Sequence, residues 1–318
     1  GGGTPSLIPT HSIKAIINKI NANFKLAKHV EITIESNPED ITEKKIKNWE
    51  KIGVNRISLG IQSFRNKDLI YMNRSHNKDH SFIALDLLQR SSINNISIDL
   101  IYGFPLLEDV DWVDNLKQAL KYRIHHISCY CLTVEKKTAL YQFIKKGQQK
   151  PLDPKKGARQ FLLTRKVLKS AGYNHYEISN FALPKYESVH NKNYWNRTCY
   201  IGVGPSAHSF NGKSRQWNIN NNNKYCSSIE KNDHYYTTEK LTNKNIINEY
   251  ILISLRTSGG VDLDFLEKYM SQKDFINFNN QTSDFKKSNL LTLVDQKICL
   301  TEKGMLFADS ISEDLFLI

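Results

Sequence analysis

Polar residues recur at the ends of short apolar segments in this sequence, where they could hold a charged ligand. Glu35 and Gln62 each close such a segment, Asp99 lies in another, and Arg74 follows the one that ends at Gln62. The glycine-rich turn Gly1-Gly2-Gly3-Thr4-Pro5 precedes them. Glycine turns expose backbone amides, carboxylates accept an ammonium group or ribose hydroxyls, and arginine grips a carboxylate bidentately. Together these groups suit a zwitterionic amino acid joined to a ribose.

The elements that carry these residues predict how they come together. β-branched segments at residues 30–35, 56–61, 96–101 and 127–132 alternate with longer amphipathic stretches. This alternation predicts an α/β fold with a parallel sheet, either a barrel or an open doubly wound sheet. The segments are largely apolar, which predicts strands buried on both faces. Because the active site of a parallel α/β barrel lies at the carboxyl ends of its strands, the polar residues should meet there.

The alternation changes after Gly172. Residues 173–181 and 199–210 are predicted to be strands, separated by a long loop that contains His190. Residues 218–233 are polar and low in complexity, which is typical of a linker or an excursion from the fold.

The remainder of the chain, beyond Glu239, is predicted to be helical. Residues 290–294 and 298–301 are apolar segments separated by a short polar stretch, which indicates the hairpin of a small winged-helix-like module. We therefore predict three domains: a barrel over residues 1–171, an α/β extension over 172–238 and a helical, winged-helix-like domain over 239–318.

Composition limits the classes of partner. The formal net charge of +12 would fit a nucleic-acid or membrane-surface partner, but the basic residues are dispersed and not gathered in a stripe with aromatics. We therefore expect no nucleic-acid partner. No apolar run approaches the roughly 20 residues that cross a bilayer, and residues 1–10 do not resemble a signal peptide. We expect a cytoplasmic protein, with peripheral membrane contact and oligomeric state left open.

The five cysteines do not form a disulfide framework or a C-x-x-C pair. Buried thiols are the simplest interpretation of all five. Cys129 and Cys131 lie two residues apart on a predicted strand and share one face, but two thiolates do not complete a tetrahedral metal site.

Five motifs resemble, in order and spacing, the coproporphyrinogen oxidase-like branch of the radical SAM superfamily. They are Gly1-Gly2-Gly3-Thr4-Pro5-Ser6, Glu35-Ser36-Asn37-Pro38, Gly60-Ile61-Gln62-Ser63-Phe64, Asp99-Leu100-Ile101-Tyr102-Gly103-Phe104-Pro105 and Tyr130-Cys131-Leu132-Thr133-Val134-Glu135. The resemblance implies a partial six-stranded (β/α) barrel of the TIM type. It also implies that S-adenosylmethionine is contacted by Gly2, Gly3, Thr4 and Glu35, and that Gln62, Arg74 and Asp99 line the same region.

A sixth motif, His190-Asn191-Lys192-Asn193-Tyr194-Trp195, resembles the H-N-x-x-Y-W motif of HemW-type haem chaperones. The resemblance implies that the protein binds haem and delivers it to respiratory or other haem proteins. Imidazole is a common axial ligand of haem iron, so His190 is the expected ligand, with His208 as the second candidate. Tyr194 and Trp195 could pack against the porphyrin.

The superfamily holds a [4Fe-4S] cluster with three cysteines in a C-x-x-x-C-x-x-C motif, and this sequence contains no such triad. In relatives the triad lies upstream of the Gly-Gly-Gly-Thr-Pro turn, so we expect an N-terminally incomplete sequence, the rival explanation being a natural cluster-free paralogue. The complete protein would carry the cluster and S-adenosylmethionine. The present chain should bind S-adenosylmethionine weakly and should not cleave it reductively.

Two other functions fit parts of the sequence. An oxygen-independent coproporphyrinogen III oxidase, an enzyme of porphyrin biosynthesis, would share the five barrel motifs, although the H-N-x-x-Y-W motif argues against it. A nucleic-acid-binding module would use the basic charge and the C-terminal winged helix, and steeply salt-dependent DNA binding would support it.

Overall fold

Strands and helices alternate through the first half of the chain, as the sequence predicts. The computed structural model describes residues 3–317, which divide into two units. Unit 1 extends to His175 and includes Ser179–Glu187, whereas unit 2 contains Tyr176–Ile178 and the residues from Ser188 onward.

The helices and strands of unit 1 follow one another in a regular order, with two short 3₁₀ turns at Pro5–Leu7 and Pro38–Asp40. They are α1 (Thr10–Asn23), β1 (Thr33–Ser36), α2 (Glu43–Lys51), β2 (Arg56–Gln62), α3 (Asn66–Tyr71), α4 (Lys78–Gln89), β3 (Asn95–Tyr102), α5 (Asp109–Lys121), β4 (His126–Cys131), α6 (Ala139–Lys145), α7 (Pro154–Ser170), β5 (Asn174–Glu177), whose last two residues are assigned to unit 2, and β6 (Asn180–Ala182).

The strands form a six-stranded sheet in the order β1-β2-β3-β4-β6-β5. Strands β1 to β4 pair in parallel, which confirms the predicted α/β class with its parallel sheet. Strand β6 pairs antiparallel with β4, so this end of the sheet departs from the β/α repeat.

The two faces of the sheet differ in character. Ile57, Leu59, Ile98 and Leu100 are fully buried on one face, and each such side chain contributes about 1.5–3 kcal/mol by leaving water. The alternate positions of the same strands are polar on the other face. Arg56 and Ser97 are buried on that second face, so the expected burial of both faces holds there, although the face is polar and not apolar. The polar face is the one that carries the candidate site.

The first part of unit 2 contains helices where the sequence predicted none. Its elements are α8 (Val189–Trp195), β7 (His208–Phe210), β8 (Ser214–Asn218), α9 (Asn222–Lys231) and β9 (Tyr236–Lys240). His190 therefore lies in a helix and not in a long loop, and the predicted linker at residues 218–233 contains helix α9. Residues 199–207 are not a strand; β7 covers only His208–Phe210, in an antiparallel sheet of order β7-β8-β9.

The C-terminal part of unit 2 has its own apolar core. Its elements are α10 (Asn243–Leu255), β10 (Val261–Asp262), α11 (Leu263–Tyr269), α12 (Gln272–Lys287), β11 (Leu291–Val294), β12 (Lys297–Leu300), α13 (Glu302–Met305) and α14 (Ala308–Asp314). The predicted hairpin is confirmed as β11 and β12, joined at Asp295 and Gln296, whose φ values of 47° and 60° suit a two-residue hairpin turn. Within residues 3–317, no helix is long and apolar enough to cross a membrane.

Candidate functional site

Glu35 and Asp99 lie on the polar face of the unit 1 sheet. Glu35 pairs with Ser58, Ser58 with Ser97, and Ser97 with His126, so these four residues form one row across β1 to β4. Asp99 is two residues beyond Ser97. Because side chains alternate along a strand, Asp99 points to the same face as Glu35, one step nearer the carboxyl ends. The structure therefore brings these two predicted carboxylates to one surface.

Gln62 and Arg74 meet above Gly60 on the same face. A Cβ atom at Gly60 would lie 2.8 Å from Nε2 of Gln62 and 3.7 Å from both Nη2 of Arg74 and Oδ1 of Asn37. Arg74 Nη2 donates to Asn37 Oδ1 at 2.9 Å. The register between β2 and β3 shifts between Leu59 and Gln62, and this bulge turns the Gln62 side chain over the polar face.

The glycine-rich turn is linked to the carboxyl end of β1. Gly3 is exposed with φ 110°, a backbone conformation that favours glycine, and Thr4 is half-buried before the 3₁₀ turn. Within that turn, the buried Ser6 hydroxyl donates to Oδ2 of Asp40 at 2.7 Å. Gly2 lies outside the described residues.

Among the carboxylates of this surface, Asp99 has a strongly shifted pKa. Burial raises the pKa of the Asp99 carboxyl to about 6, and the negative charge of Glu35 adds to this shift. A hydrogen bond from Ser128 and the positive charges of Arg56 and Arg74 oppose it. Asp99 can therefore hold or release a proton near neutral pH, a property common among functional carboxylates.

Deeper on the same face, Ser97 Oγ and His126 Nδ1 lie 2.7 Å apart in a buried contact. Burial lowers the pKa of His126 to about 3, and the positive charge of Arg56 contributes. Arg56 is buried and its Nε lies 3.9 Å from Oε2 of Glu31. His126 is therefore neutral at physiological pH. The buried Ser97–His126 pair makes this part of the polar face hydrophilic but adds no positive charge to it.

The donor set fits S-adenosylmethionine. Nε of Arg74 is buried and has no hydrogen-bond partner among residues 3–317, so an acceptor such as a carboxylate would satisfy it. The carboxylates of Glu35 and Asp99 and the amide of Gln62 supply acceptors for ammonium and hydroxyl groups.

An iron-sulfur cluster does not fit the described part of the chain. No group of three histidine, cysteine, aspartate or glutamate side chains in residues 3–317 is placed to hold a metal ion. Cys129 is buried, Cys131, Cys199 and Cys226 are exposed, and Cys299 is half-buried, so the expectation of five buried thiols was wrong for most of them.

In unit 2, helix α8 presents His190 and Tyr194 on one side. Ser188 Oγ accepts from the Asn191 amide at 3.2 Å and caps this helix. His190 is exposed, and its ring meets that of Tyr194 edge to face, with 4.9 Å between ring centroids. Trp195 is roughly 140° around the helix axis from His190 at about 100° per residue, so it faces another side. Nε1 of Trp195 is buried without a hydrogen-bond partner in the described range.

The Tyr194 ring is fixed from its far side. It packs against Tyr200 with 4.6 Å between ring centroids, and Tyr200 forms a backbone bridge with Phe210. His208, the second candidate ligand, is exposed and stacks on Trp217 at 6.2 Å. The aromatic cluster around Tyr194 therefore favours His190 over His208 as the candidate haem ligand.

Sequence reasoning assigned no role to Asn37, which lies within a motif, or to His76. Asn37 follows β1 directly, and its position after a strand end was the available signal. His76 is two residues beyond Arg74, and its buried contact with the Ile61 carbonyl has no signature in the sequence.

The chain is similar to known proteins over almost its whole length. Residues 1–119 match the model of the radical SAM superfamily, and residues 241–307 match that of the HemN C-terminal domain. The chain is 31% identical over 314 residues to the heme chaperone HemW of Bacillus subtilis, covering 98% of this chain and 83% of that protein. It is 32% identical over 325 residues to the heme chaperone HemW of Buchnera aphidicola subsp. Acyrthosiphon pisum, covering 98% and 82%.

Among solved structures, the fold is similar to that of coproporphyrinogen III oxidase (HemN) from Escherichia coli, with a TM-score of 0.83. The two chains are 21% identical, and the match covers 99% of this chain and 76% of that one. At this identity the similarity shows a shared fold. Together with the relatives, it confirms the family resemblance that the motifs predicted.

Proposed function

The chain belongs to the heme chaperone HemW family within the radical SAM superfamily, and on this premise we propose that it binds haem as cargo and passes it to haem proteins. The observation that carries the proposal is the exposed His190 imidazole, held on α8 against Tyr194. A side chain on a helix is placed more rigidly than one on a loop, and the Ser188 cap holds the start of this helix.

The chemistry of this surface suits a porphyrin. The imidazole of His190 would ligate the iron, and the part of the Tyr194 ring that remains exposed would contact the macrocycle. The buried indole N–H of Trp195 would gain an acceptor if a propionate or a water reached it. A site open to solvent on one side also allows cargo to leave, which a chaperone requires.

The polar face of unit 1 would hold S-adenosylmethionine. Arg74 would bind the carboxylate of the ligand, Glu35 and Asp99 would accept its ammonium or ribose hydroxyls, and the Gln62 amide would orient it. Gly2, Gly3 and Thr4 would offer backbone donors. Bound beside a reduced [4Fe-4S] cluster, S-adenosylmethionine supplies reductive cleavage chemistry in this superfamily, and we assign it a role in haem transfer or its regulation.

Membership of this family also suggests the domain roles, the recipient proteins and the cellular location. We assign residues 1–171 to the barrel, 172–238 to the haem-binding extension and 239–318 to the C-terminal domain. Recipients would be respiratory or other haem proteins, and the protein would act in the cytoplasm.

A transfer assay tests the function. The haem-loaded chain is mixed with a haem-free recipient haem protein, and the recipient's absorption spectrum is followed. The proposal predicts that the recipient acquires its haem spectrum at a rate that depends on the concentration of the loaded chain. Transfer no faster than from free haem would contradict it, and anaerobic conversion of coproporphyrinogen to protoporphyrinogen would favour the oxidase instead.

A further inference from the structure

The end of β2 contains a strained turn centred on Gln62. Gln62 has φ 65°, and the Ser63 amide donates to the Ile61 carbonyl oxygen at 2.8 Å. A hydrogen bond that encloses one residue with positive φ is typical of the rarer, strained kind of γ-turn. A non-glycine residue keeps such a backbone only where neighbouring contacts enforce it.

His76 makes such a contact. Its Nε2 lies 3.0 Å from the Ile61 carbonyl oxygen, the same oxygen that accepts from Ser63. The imidazole is fully buried in the loop between α3 and α4. Because a carbonyl oxygen only accepts hydrogen bonds, Nε2 of His76 must carry the proton.

The other edge of the imidazole faces the segment that follows β1. Nδ1 of His76 lies 3.4 Å from Oε2 of Glu39, and Oε1 of Glu39 accepts a hydrogen bond from the Ser75 hydroxyl. The same two segments are joined again by Arg74 and Asn37. His76 therefore packs between the end of β2 and the loops after β1 and α3, and these segments carry two of the four charged or amide groups of the predicted site, Gln62 and Arg74.

Burial lowers the pKa of His76, and the charges of Arg74 and His80 contribute. The hydrogen bond to Ile61 and the charge of Glu39 act in the opposite direction. The imidazole is thus neutral at physiological pH, with its single proton on the Nε2 that donates to Ile61. Its Nδ1 carries no proton and makes no hydrogen bond to Glu39.

We propose that His76 is a positioning residue that holds the Ile61–Gln62–Ser63 turn and so fixes the Gln62 amide over the polar face of the sheet. Only the identity of the ligand, S-adenosylmethionine, rests on the proposed function. The restraint itself concerns the backbone of this chain and can be measured without ligand.

Three variants separate positioning from general stability. His76→Leu removes the donor, whereas His76→Gln keeps an amide N–H that can reach Ile61 without titrating. His80→Ala is the matched control, because His80 lies in the first turn of α4, where its ring accepts a hydrogen bond from the Asn77 amide and not from the Gln62 turn. Amide hydrogen exchange at Ser63 reports the turn, and calorimetric titration with S-adenosylmethionine reports the site.

We expect His76→Leu to reduce protection of the Ser63 amide and affinity for S-adenosylmethionine by about three- to tenfold, the effect of one buried hydrogen bond. His76→Gln should restore most of both, and His80→Ala should change neither. The Gln variant should also flatten any loss of affinity that the parent shows on mild acidification.

Each outcome decides the proposal. Unchanged exchange at Ser63 in His76→Leu, or an equal loss in His80→Ala, would overturn it. If the parent binds no S-adenosylmethionine but exchange follows the pattern above, the ligand assignment fails and the positioning role stands. Should His76→Leu not fold, His76→Asn replaces it, because its shorter amide does not reach Ile61.

Discussion

Nη2 of Arg74 donates to Oδ1 of Asn37 at 2.9 Å, which joins the loop after α3 to the loop after β1. Of the two residues, only Arg74 was assigned to the ligand site from the sequence. Nε of the same guanidinium is buried and has no hydrogen-bond partner within residues 3–317. The site is therefore partly organised before any ligand arrives.

Replacing Asn37 by leucine should destabilise unit 1. The partly buried guanidinium of Arg74 would lose its acceptor, at a cost of about 1–3 kcal/mol for a charged donor. Urea denaturation measures this loss. Asn23→Ala is the control, because it removes an exposed hydrogen bond within α1 and should change stability by less than about 0.5 kcal/mol. Equal effects of the two variants would contradict the orienting role of Asn37.

Replacing Asp99 by asparagine should stabilise the protein at neutral pH. The pKa of Asp99 is raised to about 6 in the folded state, so the buried carboxylate costs stability above that pH. Below about pH 4 the carboxyl is protonated in both states and the cost vanishes. The advantage of Asp99→Asn should thus be about 1–3 kcal/mol above pH 6 and should shrink as pH falls. Denaturation of both proteins from pH 4 to 8 measures this difference in the free energy of unfolding. A parent that is more stable than Asp99→Asn at every pH in this range would refute the prediction.

The strands of unit 1 and the C-terminal hairpin were predictable because β-branched segments and turn residues leave local patterns. Helices α8 and α9 were missed because they are short and rich in asparagine, a poor helix former. Their side-chain caps at Ser188 and Asn221 stabilise them locally. The polar face was missed because isolated residues such as Ser97 and Ser128 read as interruptions in apolar strands, and only pairing across strands aligns them.

Gly304→Ala should unfold the C-terminal part of unit 2. A Cβ atom at Gly304 would lie 1.9 Å from the Leu290 carbonyl oxygen, which is backbone and cannot move aside. We expect a loss of about 2–3 kcal/mol or more, as for overpacking elsewhere. Gly259→Ala is the control, since its Cβ would meet only Thr257 Oγ1 at 3.5 Å. Thermal unfolding followed by circular dichroism distinguishes the two variants. Equal unfolding temperatures for Gly304→Ala and Gly259→Ala would contradict the close packing of Gly304 against Leu290.

The 318-residue chain should not cleave S-adenosylmethionine, because its sequence contains no C-x-x-x-C-x-x-C triad. Incubation with iron, sulfide, dithionite and S-adenosylmethionine under anaerobic conditions should yield no 5′-deoxyadenosine. Chromatography of the products measures this, with a relative that has the triad as positive control. A stoichiometric yield would show that other residues assemble a cluster.

The most direct test of the account is haem titration of the parent chain and of His190→Ala, followed by the Soret band. The parent should give a saturable, shifted Soret band, and His190→Ala should lose most of it because the axial imidazole is gone. His234→Ala, which removes another exposed histidine of unit 2, should behave like the parent. An unchanged Soret band in His190→Ala would contradict the assignment of His190 as the axial haem ligand. If the band is lost in His208→Ala instead, His208 is the ligand.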